Sequence, residues 1–225
     1  GIQQLLTFDN GLTLVQAANS IMNRGVSQGN LLNSALATAP ALQTAFPASQ
    51  LAAQLKMVAR IIGVRAQLGL TRQIFFCSLG GFDTHASQAA NQDPLLQQLS
   101  QALSAFYNAT VELGVASSVT TFTASEFGRT IMPNGNAGTD HAWGNHHFIL
   151  GGAVAGGDLY GAYPLLSLGN ANPLDVTGRG SLIPTTSVDQ YAATLAQWFG
   201  VAPGNLGAVL PNIGNFTVQN LGFLG

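Results

Sequence analysis

The sequence predicts an α/β fold organised on a parallel sheet, and three stretches in a fixed order carry the prediction. An apolar run, "RQIFFCSL" (72–79), is bounded by Gly80-Gly81 and reads as a buried strand. A helical pattern follows, with Leu96, Leu99, Leu103, Phe106, Tyr107, Ala109 and Leu113 on its apolar face. A second run, "SSVTTFTAS" (117–125), is rich in β-branched residues and reads as the next strand. Strand, loop, helix, strand over 72–125 is a βαβ unit, which implies parallel pairing with a right-handed crossover.

The other elements fall around that unit. Residues 11–38 read as a helix broken by a turn at Gly25 and Gly29, and "APALQTAFP" (39–47) reads as a loop. From Ser49, a natural N-cap, Leu51, Leu55, Val58 and Ile62 step at helical spacing toward a stop at Gly69. The helix of the βαβ unit is expected to start near Asp93-Pro94, a cap followed by proline in the first turn. "HHFILGGAV" (146–154) reads as a further strand, and 155–186, rich in Gly and Pro, as irregular chain. "SVDQYAATLAQWFG" (187–200) closes the series as an amphipathic helix. No repeat or low-complexity linker divides the chain, so residues 1–225 are read as one domain.

Composition bounds the function. With 47% hydrophobic residues and a positive mean hydropathy, the chain has the material for a sizeable core. Seven basic and nine acidic residues leave a net charge of −2 with no basic run, which argues against a nucleic-acid partner. The apolar stretches stop well short of the ~20 residues that span a bilayer, and "GIQQLLTFDNG" lacks the pattern of a signal peptide. Cys77 stands alone inside an apolar run and reads as an inert core thiol.

Only 7% of residues are charged, so the places where charge is spent draw attention. Asp83 and His85 follow the first predicted strand, and Glu126 follows the second. The same loop continues to Asp140, His141, His146 and His147, so all four histidines fall in two strand-end loops. Ligands collect beyond the carboxyl ends of parallel strands, and neighbouring strands lie about 5 Å apart. Imidazole and carboxylate together suit a divalent metal, which can activate water or polarise an ester oxygen. The same Asp-Thr-His can also be a loop-capping aspartate beside a hydrogen-bonded histidine. Arg129 can clamp an anionic group or pair with Glu126 or Asp140 to hold the loop. His146 and His147 point to opposite faces of a strand, so at most one is expected at the site. Trp143 reads as loop packing rather than a substrate platform. Thr84, Ser125, Thr130 and Thr139 offer hydroxyls, yet none lies in a Gly-x-Ser-x-Gly elbow, which disfavours a serine esterase.

On "RQIFFCSLGGFDTH", "LLQQLSQALSAFYNATVELGV", "VTTFTASEFGRT", "NGNAGTDHAWGNHHFILGGAVAGG" and "TTSVDQYAATLAQWFGV", the chain resembles the bacterial family DUF1501. The resemblance covers nearly everything from residue 50 onward. That family is grouped with alkaline phosphatases and sulfatases, which implies a three-layer α/β/α sandwich with a mostly parallel sheet. It also implies a metal-dependent hydrolase of phosphate or sulfate esters. By position, Asp83 and His85 resemble the first metal-ligand motif, Glu126 stands where a later Asp-His pair begins, and His141 resembles the final histidine ligand. The second member of that pair is Phe127 here, and family motifs often carry Asp where Glu126 stands.

The implied assignment is metal on Asp83, His85, Glu126 and His141, with Asp140 as a further ligand or support and Arg129 on the anionic group. Zinc is the first expectation for the ion, with manganese or calcium behind it. The substrate would be a small-molecule or polymeric anionic ester. Members commonly carry a twin-arginine export signal, which implies a periplasmic or external location. Nothing here matches their N-terminal Gly-Gly-Asp-Gly motif. The chain is therefore expected to be the C-terminal portion of a longer protein, its sheet lacking the first strands and its nucleophile being water or a residue outside the chain. Association with that N-terminal segment, or a homo-oligomer, follows as an expectation. The competing reading is a non-catalytic exported binding or assembly protein that uses the cluster structurally. Near-zero net charge, which protects little against association, suits it.

Overall fold

Leu51, Leu55, Val58 and Ile62 are all buried on one face of a helix that starts where the sequence places it. Ser49 caps it, its hydroxyl accepting from Ala52 N at 3.2 Å. A computed structural model describes residues 13–225. In chain order its principal elements are α1 (Thr13–Ala37), α2 (Gln50–Gly63), α3 (Gln88–Glu112), β1 (Thr120–Phe122), β2 (Gly128–Arg129), β3 (His141–Ala142), β4 (Ile149–Gly151), α4 (Val188–Phe199) and α5 (Leu206–Val209).

The main core lies between α2 and α3. Ala52 and Ala59 on α2, and Ala102 and Ala109 on α3, have no exposed surface. Each pair is seven residues apart, so each helix offers a small-residue stripe that lets its partner come close. Leu55, Ile62 and Phe106 fill the space around that contact. A smaller cluster of Ala193, Leu206 and Ile213 joins α4 to the C-terminal turns. Ser187 caps α4 in a capping box with Gln190.

The expected mostly parallel α/β/α sandwich is not what forms. The two sheets among the described residues are antiparallel pairs: β1 with β4, Thr120 opposite Gly151, and β2 with β3, Arg129 opposite His141. Residues 72–79 show why the sequence misleads. They alternate as a strand should, with Phe75, Cys77 and Leu79 packed on the core and Ile74 and Phe76 turned outward, 78% and 92% exposed. Yet among the described residues no backbone hydrogen bond joins them to another segment. The Gln54 side chain alone brackets Ser78, accepting from its N–H at 2.9 Å and donating to its carbonyl at 3.0 Å. Alternation reports an extended backbone with one packed face, whereas pairing depends on a partner that local sequence does not name. The second run pairs with the chain after it, so the βαβ unit does not close.

Two helix limits also move. α1 runs unbroken through Gly25 and Gly29, because an isolated glycine costs only about 1 kcal/mol in a helix. α3 starts at Gln88, and Pro94 lies inside it. The chain at 136–137 makes the earlier start possible: Ser87 N–H donates to Asn136 O at 3.0 Å and Gln88 N–H to Ala137 O at 2.8 Å. Those two carbonyls satisfy the N–H groups of the cap residue and the first helical residue, which have no partner within the helix.

Candidate metal centre

Thr84 anchors the Asp-Thr-His loop. It is buried, its hydroxyl accepts from Gln92 Nε2 on α3 at 3.0 Å, and its carbonyl accepts from Thr139 N–H at 3.1 Å. Successive residues of extended chain alternate sides, so an inward Thr84 leaves Asp83 and His85 facing outward together. Gly138 lets the second loop reach them: a Cβ there would lie 2.1 Å from the His85 carbonyl carbon, so no larger residue fits. The β2–β3 pairing then sets Arg129 directly across from His141, on one face of the ribbon.

These elements converge on one oxygen. Asp83 Oδ1 lies 2.9 Å from His85 Nε2, 2.9 Å from His141 Nε2 and 2.5 Å from Arg129 Nη1. The two imidazole nitrogens are 3.1 Å apart. Asp83, His85 and His141 could hold a metal ion. Their side chains are each about half exposed, so the point they share opens to solvent.

A surrounding set of side chains holds them. Arg129 Nε donates to Thr139 Oγ1 at 2.9 Å and Nη2 donates to the Thr139 carbonyl. Thr139 Oγ1 in turn donates to Gln88 Oε1 on α3. Asp140 Oδ1 faces His85 Nδ1 at 3.6 Å and accepts from Asn134 Nδ2 at 3.2 Å, while Oδ2 accepts from Arg179 Nη1 at 2.8 Å. His141 lies flat on Phe127, ring centroids 3.8 Å apart and planes within 15°.

Desolvation pushes the Asp83 carboxyl upward. Hydrogen bonds from His141 and Arg129, with the charges of both histidines, outweigh it and hold the group below the ordinary carboxylate value. Asp140 is also held low, by hydrogen bonds from Asn134 and Arg179. Both carboxyls are therefore poised as anions, the form that binds metal.

Several expected residues stand elsewhere. Glu126 is exposed in the loop before β2 and is not in the three-residue group. Arg129 pairs with Asp83, not with Glu126 or Asp140. His146 stacks on Tyr163 and His147 on Tyr191, so neither joins the group. Thr84, Thr130 and Thr139 are buried scaffold, and Ser125 donates to the Phe127 carbonyl at 2.9 Å. Trp143 is 62% exposed rather than packed in a loop. Cys77 packs against the core, where burial pushes its thiol up. Sequence reasoning missed Arg179 and Asn134. Arg179 was within reach, since it is one of only seven basic residues.

The family model described as "Protein of unknown function (DUF1501)" matches residues 9–178, a span that holds Asp83, His85, Phe127, Arg129, Asp140 and His141. No curated protein and no solved structure matches the chain.

Proposed function

The chain belongs to the DUF1501 family, and we propose that it is a metal-dependent hydrolase of phosphate or sulfate esters, with one divalent ion on Asp83, His85 and His141. One observation carries the reading, the triangle of Asp83 Oδ1, His85 Nε2 and His141 Nε2 with edges of 2.9, 2.9 and 3.1 Å. No placement of protons satisfies all three edges. Two N–H groups would oppose each other across 3.1 Å, and any bare nitrogen sets its lone pair against the carboxylate. A cation at the shared point relieves every edge. Donor atoms about 3 Å apart are close enough for one divalent ion with bonds of about 2.1 Å to reach all three.

Two imidazoles and one carboxylate form a donor set that catalytic zinc uses; manganese takes the same set, and calcium, which prefers oxygen, fits it poorly. Such an ion supplies Lewis acidity toward water and the ester oxygen. The protein supplies orientation and field. Asp140 turns His85 so that Nε2 faces the cluster. Asp83 and Asp140 are balanced by Arg129 and Arg179, so a bound dication leaves the site positive and attractive to an anionic ester.

A second reading has its own support. Arg129 already places a cation on Asp83 Oδ1, as it would in a structural ion-pair cluster of a non-catalytic exported binding or assembly protein. Elemental analysis of the purified chain, with His85→Ala, His141→Ala and Glu126→Ala, separates the two. One equivalent of zinc or manganese, lost in both histidine variants and kept in Glu126→Ala, supports the metal centre. Turnover of p-nitrophenyl phosphate or sulfate that follows metal content then supports the hydrolase. Intact wild-type chain that takes up neither ion on titration overturns the metal reading and leaves the structural one.

A further inference from the structure

The two histidines are supported differently. His85 has a carboxylate facing its second nitrogen, Asp140 Oδ1 at 3.6 Å from Nδ1. That arrangement usually fixes a metal-binding imidazole, because a partner at one nitrogen sets both the tautomer and the plane of the ring. The polar contacts of His141 all run through Nε2, to Asp83 and His85, and among the described residues none is recorded at its Nδ1. Its plane is instead set by Phe127, stacked at 3.8 Å and 15°.

Phe127 is itself held in place. Its carbonyl accepts from Ser125 Oγ at 2.9 Å and from Asn145 Nδ2 at 3.3 Å. The next residue, Gly128, packs so closely on the following loop that a Cβ would lie 2.0 Å from Gly144 O. The Arg129 guanidinium carbon lies 5.9 Å from the ring centroid, within cation–π range. His85 is the other ring beside His141, centroids 5.0 Å apart and planes tilted by 37°. A ring clamped at its backbone and faced by a fixed cation is a rigid plate. An imidazole lying on it keeps only the freedom to slide in its own plane.

We infer that Phe127 is the positioning residue of the metal centre: by stacking on His141 it aims Nε2 at the point shared with Asp83 and His85, the task the facing Asp140 carboxylate performs for His85. The inference rests on the metal reading above. Loss of a support of this kind typically weakens metal binding about 10–100-fold. Volume alone does not replace it, since an aliphatic side chain fills the space without a flat face.

The test is titration of the purified chain with cobalt(II), followed by visible absorption, for wild type, Phe127→Leu and Phe127→Tyr. Circular dichroism of each metal-free protein reports its fold. In the metal-free protein, His141 ring protons in the wild type should be shifted upfield by the Phe127 ring current and relax in Phe127→Leu. Phe127→Leu should bind cobalt about 10–100-fold more weakly with an altered band, and Phe127→Tyr should stay within about threefold of wild type. Wild-type affinity and band shape in folded Phe127→Leu overturn the positioning role and leave the metal centre standing. A wild type that binds no cobalt sinks the metal reading, and this inference with it. If Phe127→Leu proves unfolded, Phe127→Met makes the same comparison, and wild-type affinity in that folded variant is equally decisive against the proposal.

Discussion

Arg129 and His141 stand directly opposite each other in the β2–β3 ladder, and both side chains end on the same oxygen, Asp83 Oδ1, at 2.5 and 2.9 Å. A guanidinium that also holds both the hydroxyl and the carbonyl of Thr139 locks the Asp83 loop to the hairpin.

Replacing Arg129 by Met keeps the stem and removes the fork. Unfolding in urea should show a loss of about 1–2 kcal/mol, below the full value of charged hydrogen bonds because Asp83 is half exposed. Arg129→Lys should recover only part of that loss, since an ammonium cannot serve Asp83 and both Thr139 oxygens with the same planar geometry. A Lys variant as stable as wild type would refute the fork.

Glu112 fastens the loop before α2 to the end of α3. Its carboxylate accepts from Thr44 Oγ1 at 2.6 Å, Gln43 N–H at 2.7 Å and Thr44 N–H at 2.8 Å. The Thr44 hydroxyl first, then the two backbone donors, hold the carboxyl below its ordinary value. A carboxyl depressed in the folded state stabilises fully above its unfolded pKa, and that contribution disappears as pH falls through the folded value. The stability difference between wild type and Glu112→Gln should therefore be constant from pH 7 to about 5 and shrink below about pH 4. Urea melts across that range measure it, and a difference that grows on acidification would contradict the assignment.

Phe76 and Phe106 belong to the same composition class and should behave oppositely. Phe106 is 3% exposed between α2 and α3, so Phe106→Ala should cost about 3–5 kcal/mol. Phe76 is 92% exposed, so Phe76→Ser should change stability by about 0.5 kcal/mol or less. Amide hydrogen exchange should find 73–79 poorly protected apart from Ser78, whose N–H is held by Gln54. Strong protection across that segment would mean that it pairs.

How much was legible varies by element. The Ser49 cap and the buried stripe of α2 follow from spacing and side-chain chemistry within a few residues, and the structure places them there. The start of α3 could not be read, because its first amides are satisfied by carbonyls about 50 residues downstream. At the site, the scarcity of charge pointed to Asp83, His85 and His141, which the fold brings together. The same reasoning included Glu126, which lies outside the group, and omitted Arg179, which holds Asp140.

The sequence by itself determined which side chains are chemically able to meet and where the chain is extended or helical, because propensity, capping and periodicity act over a few residues. Only the tertiary structure decided that 72–79 finds no strand partner among the described residues while 120–122 pairs with 149–151, that Arg129 faces Asp83, and that Phe127 lies under His141. Those are choices of partner across long stretches of chain. They depend on the closure and packing of the whole fold, to which no local pattern carries the key.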